Sequence, residues 1–240
     1  MINAINSPPR NGCHDMWNAF MVKDVIFSPG SDMPTCISTD QIPLELISYE
    51  DAKAFYKRMM QAGNADFHVK AFIHFFIDDQ KFDGKRSSIW LYPEEALKVI
   101  SHFDGIISPD FSTNADFPDP WKRFNTYRMR SFGCWMNQLN IPVINCVRWG
   151  TYETWNYCFD GIPKGSTVCI GTVASGIRRL ENRPLFDTGL KKMVDVINPK
   201  RIITYGSSNY PCFKELLTSG IEVISYESKT SKAFKEVHNE

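Results

Sequence analysis

Six short apolar runs, each closed by turn residues, constrain this chain more than any other feature. They are VKAFIHFFID (69–78), GIISP (105–109), IPVINCVR (141–148), STVCIGTV (166–173), RIITY (201–205) and IEVISY (221–226). A strand with one face in water alternates apolar and polar residues. A strand apolar on both faces must be covered on both, as in a parallel sheet. Helical patterns separate the runs. Ser48 with Asp51 reads as a capping start. Pro93 fits the first turn of a helix carrying Ala96, Leu97, Ile100 and Phe103. Further helices are expected over 121–140, 183–198 and 212–220, the last closed by Gly220. DVIFSP (24–29) and MPTCIS (33–38) read as two more short strands.

The class is therefore α/β, with alternating strand–helix units and a mainly parallel sheet. A (βα) barrel-like arrangement suits the strand count and the 240-residue length, and a doubly wound open sheet is the alternative. No linker, low-complexity stretch or repeat divides the chain. One domain over 1–240 is expected, with residues 1–23 a loop-like segment tucked on by Met16, Trp17 and Phe20.

Charge and cysteine content narrow the function classes. The 27 basic residues cancel the 27 acidic ones, so no overall field draws the protein to nucleic acid or a membrane surface. No run approaches the roughly 20 apolar residues of a membrane helix, and the N-terminus has no apolar signal core. The seven cysteines are odd in number, widely spaced and without a C-x-x-C pair, which argues against a disulfide framework or a zinc knuckle. A cytoplasmic location is expected.

In strand–helix folds of either architecture, chemistry gathers at the C-terminal strand ends. Here those ends carry Asp78 and Asp79, then Asp110 and Ser112, then Arg148 and Trp149, with Glu227 after the last. The strand starts are bland by comparison. Asp79 and Asp110 are the candidate acid/base groups. Ser112, Asn125, Arg128, Arg148, Trp149 and Asp160 are the candidate ligand contacts. Four clustered acids (Asp78, Asp79, Asp110, Glu227) are also the donor type that a hard cation takes, although the reading adopted contains no metal.

The helix over 121–140 sharpens this picture. Trp121, Phe124, Phe132, Trp135 and Leu139 form one apolar stripe at helical spacing, and Arg128 falls within it. A charge on a buried face needs a partner. A partner among Asp110, Asp78 or Asp79 is expected; Asp110 is the one adopted, directly or through one bridging group, and the pair would order the PDFS loop. Asp79, Asp110, Arg128 and Trp149 are then expected in one cleft. The bland alternatives are a structural clamp for Arg128 and an arginine stacked on a ring for Arg148. GIPKGS (161–166) lacks the spacing of a phosphate loop, no G-x-S-x-G occurs, and Cys158 has no nearby histidine, so a serine or thiol nucleophile is not indicated. His74, inside FIHFF on the face of Phe72 and Phe76, reads as a core histidine.

The segments FFIDDQKF, GIISPDFS, FNTYRMRSFGCWMNQLNIPVI and FDGIPKGSTVCIGTVAS, followed by YGS, carry a resemblance. Over residues 66 to 208 the chain is similar to the family catalogued as domain of unknown function 4417, found in bacterial phages, prophages and plasmids. Asp79, Asp110, Ser112, Asn125, Tyr127, Arg128, Trp149, Asp160 and Gly161 fall on its motifs. Arg148 stands where the family usually has a small or polar residue. The resemblance implies no particular reaction and no particular cofactor. Two function classes follow: an enzyme acting on a small anionic, phosphate- or nucleotide-like ligand at the strand ends, and a non-catalytic nucleotide-binding or host-interaction protein of a mobile element.

Overall fold

The computed structural model describes residues 18–238. Seven strands form one parallel sheet in simple sequence order: β1 (Leu46–Ser48), β2 (Val69–His74), β3 (Phe103–Ile107), β4 (Val143–Cys146), β5 (Thr167–Gly171), β6 (Arg201–Tyr205) and β7 (Glu222–Tyr226). The helices are α1 (Tyr49–Gln61), α2 (Pro93–Ile100), α3 (Asp119–Gln138), α4 (Arg183–Ile197), α5 (Pro211–Thr218) and α6 (Lys229–His238). Right-handed crossovers that never reverse the strand order keep the helices on one face of a sheet, which then curls around its other face. That is the barrel-like alternative, here as a curled half-barrel. A doubly wound sheet would require an order reversal, and there is none.

The curl separates two packing environments. Leu46, Phe72, Ile107, Cys146, Cys169 and Ile203 meet inside. Outside, the β1–β3 half packs against α1–α3, and the β5–β6 half against α4 and α5. The ring of His74 on β2 lies 4.2 Å from that of Tyr205 on β6, so the interior is narrow enough for side chains to touch across it. No ladder joins β7 to β1. Side chains connect that edge instead: Tyr226 Oη donates to the Pro43 carbonyl, and Lys229 pairs with Asp51 at 2.9 Å.

Three expectations need correction. Residues 24–29 and 33–38 are not strands of the sheet; they contribute one antiparallel bridge, Phe27 with Pro34. Their apolar residues are used differently. The β4–β5 connection has only a 3-10 turn, Tyr152–Asn156, so the outer face there lacks a helix. The early segment covers it, with Cys36 N–H donating to the Gly161 carbonyl and Asn145 Nδ2 donating to the Cys36 carbonyl. Gly161 (φ 72°) suits this passage, because a Cβ there would stand 2.3 Å from the Pro34 carbonyl oxygen. Second, Phe103 belongs to β3 and not to the preceding helix, and β1, only three residues long, carries too little pattern to read. Third, α3 is not one-faced. Every residue from Arg128 to Met136 is buried, while Trp121 and Leu139 at the ends are 49% and 41% exposed. The early segment covers α3's second side, and Gln138 Nε2 donates to the carbonyls of Met21 and Lys23. Met16 and Trp17 lie outside the described residues. Phe20 is 44% exposed, with its ring edge-on to Trp135. No helix among the described residues is long and apolar enough to cross a membrane.

Gly189 offers a direct test of the outer packing. A Cβ built there lies 2.1 Å from Trp149 Nε1, where α4 crosses the residue that follows β4. Helix propensity favours alanine over glycine by about 1 kcal/mol, whereas overpacking costs about 1–3 kcal/mol. Gly189→Ala should therefore lower stability in urea unfolding; a gain would show that Trp149 does not sit against α4.

Candidate functional site

The C-terminal strand ends form the mouth of the half-barrel. Alternation along a strand decides which side chains reach it. On β4, Ile144 and Cys146 face inward, so Arg148 continues inward and Trp149 turns out. Arg148 donates to Asp110 Oδ2 at 2.9 Å and to the Asn114 amide oxygen at 3.1 Å. Asp110 Oδ1 also accepts from Cys146 Sγ at 3.5 Å, which places the carboxylate over the interior.

Asp79 opens a 3-10 turn (Asp79–Lys81) after β2. Its two oxygens accept from Ser112 N–H at 3.1 Å and Ser112 Oγ–H at 3.0 Å. Burial pushes the Asp79 carboxyl above its usual pKa, and the Asp110 charge adds to this. The Ser112 bonds and the nearby Arg148 oppose the rise without cancelling it. Asp79, Asp110, Ser112 and Arg148 are thus brought together.

Arg128 goes elsewhere. It is buried in the outer layer and donates to Asp83 at 2.6 Å, and Asp110, its expected partner, is already held by Arg148. Asp83 follows the turn that Asp79 begins, and so reaches the helix layer, while Asp110 points inside. A second Arg128 bond goes to the Asn125 amide oxygen at 2.6 Å, and Asn125 Nδ2 donates to the Ser112 carbonyl. The Phe111 ring centre lies 3.9 Å from the guanidinium carbon. Arg128 therefore does order the PDFS loop, through Asn125 and Phe111. The chain Asp83–Arg128–Asn125–Ser112–Asp79 links the outer layer to the mouth.

Two further expected residues also lie away from it. Trp149 packs on Phe159 and Phe186 in the outer layer, and Asp160 gives its backbone carbonyl to Arg130 at 3.1 Å. The single cleft expected for Asp79, Asp110, Arg128 and Trp149 therefore does not form. Among the described residues, no group of three or more His, Cys, Asp or Glu side chains is placed to hold a metal ion. An open groove of about 750 Å³ between α1 and α2, lined by Tyr49, Lys53, Tyr56, Lys57 and Tyr92 among others, contains none of the expected residues.

The mouth also holds residues that sequence reasoning did not name as contacts, among them His74, read there as a core histidine. Phe76 stacks on Tyr205, 5.2 Å apart and nearly parallel, and the His74 ring lies tilted against Tyr205 at 4.2 Å. Asp51, beside the Ser48 cap, pairs with Lys229, whose N–H donates to Tyr205 Oη at 3.2 Å. Strand-end position was the one available signal for His74 and Tyr205. Asp51 read only as part of a cap.

Double-mutant cycles separate the two arginine assignments. Breaking a buried pair from one side costs about 3–5 kcal/mol. Arg128→Met with Asp83→Asn should couple strongly in urea unfolding, and Arg128→Met with Asp110→Asn should be additive within about 0.5 kcal/mol. The reverse pattern would restore Asp110 as the partner.

Comparison with known proteins places this geometry in a family. The family model described as Domain of unknown function (DUF4417) matches residues 27–227. The Gene 1 protein of Mycobacterium phage D29 is 34% identical over 139 residues, 58% of this chain and 49% of that protein. The Gene 1 protein of Mycobacterium phage L5 is 36% identical over 135 residues, 56% of each chain. The match thus spans about half the length of these curated relatives. No solved structure matches significantly. With a curled parallel sheet and a family match that runs from before β1 to the end of β7, the chain belongs to the DUF4417 family.

Proposed function

We propose that the protein takes a small oxyanion-bearing molecule, phosphate- or nucleotide-like, at the mouth of the half-barrel and acts on it with Asp79 as the proton carrier. The carrying observation is the state of Asp79. It has two hydrogen bonds from Ser112, no cation within hydrogen-bond distance among the described residues, and a carboxyl held above its usual pKa by burial. An upward shift moves a carboxyl toward the range in which general acids and bases exchange protons.

Arg148 supplies the positive charge for the ligand. One of its N–H groups rests on the exposed Asn114, a contact that a ligand oxygen replaces at small cost. The chain from Arg128 through Asn125 holds Ser112, and so Asp79, in place from outside. Phage relatives suit a protein that handles metabolites of an infected cell, and we place it in the cytoplasm.

A second reading has its own support. Asp110 and Arg148 already satisfy one another, as do Asp83 and Arg128, which suits a non-catalytic protein that binds a nucleotide or a host partner. The two readings differ in what Asp79 does.

Protonation links the charge states. Ionised Asp79 repels an anion, and the protonated acid donates to it. Because the folded pKa is raised, binding should tighten as pH falls through that value, by at most about tenfold per unit. Sulfate is a suitable probe, since its own charge is constant between about pH 5 and 8. Calorimetry should show proton uptake and tighter sulfate binding at low pH in the wild type, and pH-independent binding in Asp79→Asn. The variant should melt at or above wild type at pH 7, because burial disfavours the charge it removes. PH-independent binding in the wild type would remove Asp79 from the site. Once a turnover assay exists, Asp79→Asn binding without turnover selects the enzyme, and unchanged turnover excludes Asp79 as proton carrier.

A further inference from the structure

The open groove of about 750 Å³ between α1 and α2 has an apolar floor, where Ile89, Ala96 and Val99 are buried. Its rim is charged, and the charges do not balance. Glu50 accepts from Lys81 at 2.7 Å and Glu95 from Lys98 at 2.6 Å, so both acids of the rim are already paired. Lys53, Lys57 and Arg86 also line the groove, and none of them has an ion pair or a hydrogen bond among the described residues. Lys53 Nζ stands over the Tyr49 ring, 5.5 Å from its centre, which holds it within the groove. The whole chain is neutral, so this positive excess is local. The C-terminal helix α6 meets α1 through Lys229 and Asp51. Lys53 and Lys57 lie about 200° and 240° further round α1 than Asp51, on the side away from that contact. Residues 1–17 contain one acid, Asp15, and one base, Arg10, and so bring no acidic excess. Tyr92, at the start of α2, is 50% exposed on the same rim. Tyrosine and arginine are the side chains that most often anchor protein interfaces.

We propose that this groove docks an acidic segment of a partner protein, with an aliphatic or aromatic side chain on the floor and carboxylates on Lys53, Lys57 and Arg86. A small molecule is normally surrounded by its pocket, whereas an open trough suits a segment carried by a larger partner. Lys53 and Lys57 are one helical turn apart, about 6 Å along the axis. That spacing matches carboxylates one turn apart on a helix or two residues apart on an extended strand. A nucleic acid is the poorer fit, because its charges recur without a break and Glu50 and Glu95 interrupt the positive rim. The inference is independent of the anion reading of the mouth, since the groove contains none of the residues expected there.

The test is selection on the full-length protein from a display library of random peptides about twelve residues long, with single peptides then measured by fluorescence anisotropy. Selected peptides should be rich in Asp and Glu around one large apolar residue. They should bind more weakly as salt rises, and about tenfold more weakly to Lys53→Glu with Lys57→Glu. Both changes are at the surface, so that variant should melt like wild type. Arg148→Met should leave peptide binding unchanged, which separates the groove from the mouth. A selection that yields nothing, or peptides without an acidic excess, overturns the inference. So do acidic peptides that bind the charge-reversed variant equally well. Binding of oligothymidine through Lys53 and Lys57, with acidic peptides inert, would make the groove a nucleic-acid surface and overturn it as well. Should the double variant misfold, acetylation of the wild type decides: a bound peptide should protect the Lys53 and Lys57 amines, and unchanged labelling of both counts against the groove.

Discussion

A guanidinium removed entirely from water must find its hydrogen bonds inside the protein, and Arg130 finds them on backbone carbonyls. It is 0% exposed and donates to Cys146 and Cys158 at 3.0 Å and to Asp160 at 3.1 Å. No carboxylate among the described residues is bonded to it, so carbonyl dipoles offset the cost of burying the charge. The consequences spread outward. The end of β4 is tied to α3, the turn at 158–161 is folded around the same side chain, and Gly161 in that turn receives the early segment through Cys36. A crossover without a helix is stable here because Arg130 organises what replaces the helix.

Two residues earlier on the same helix, Arg128 does the corresponding work for the other half of the mouth. Its bonds run to Asp83 after β2 and, through Asn125, to Ser112 after β3. The acid and its serine are thus set by a helix that does not itself enter the mouth. That arrangement suits a site whose groups must hold position in the absence of ligand, because each contact made in advance reduces what binding must order. At the strand ends, Asp110 is paired with Arg148 and the exposed Asp51 with Lys229, whereas Asp79 has no bonded cation among the described residues.

The sheet was readable because parallel strands buried on both faces leave continuous apolar runs, and all six runs became strands. β1 escaped notice, since three residues carry no period and Ser48 was read only as a cap. The early segment misled in the other direction. Its apolar residues cover α3 and β4, but Pro29, Gly30 and Pro34 break the backbone that a ladder needs. The arginine in the α3 stripe correctly announced a buried pair. Which carboxylate answers it depends on which acid turns outward, a tertiary fact that sequence spacing does not carry. Arg130 was invisible for a related reason: a helix taken as one-faced has a solvent side to receive it. Trp149 and Arg148, adjacent in the chain, were grouped as one feature, and strand alternation sends them to opposite sides.

The account's central claim is that the mouth of the half-barrel, and not its outer surface, receives an anion. Crystals soaked in selenate, a sulfate analogue with an anomalous scatterer, test it most directly. The expected result is an anomalous peak within hydrogen-bonding distance of Arg148, lost in Arg148→Met. Peaks confined to the outside, for example beside Lys53 and Lys57 in the groove between α1 and α2, with nothing at the mouth, would contradict it.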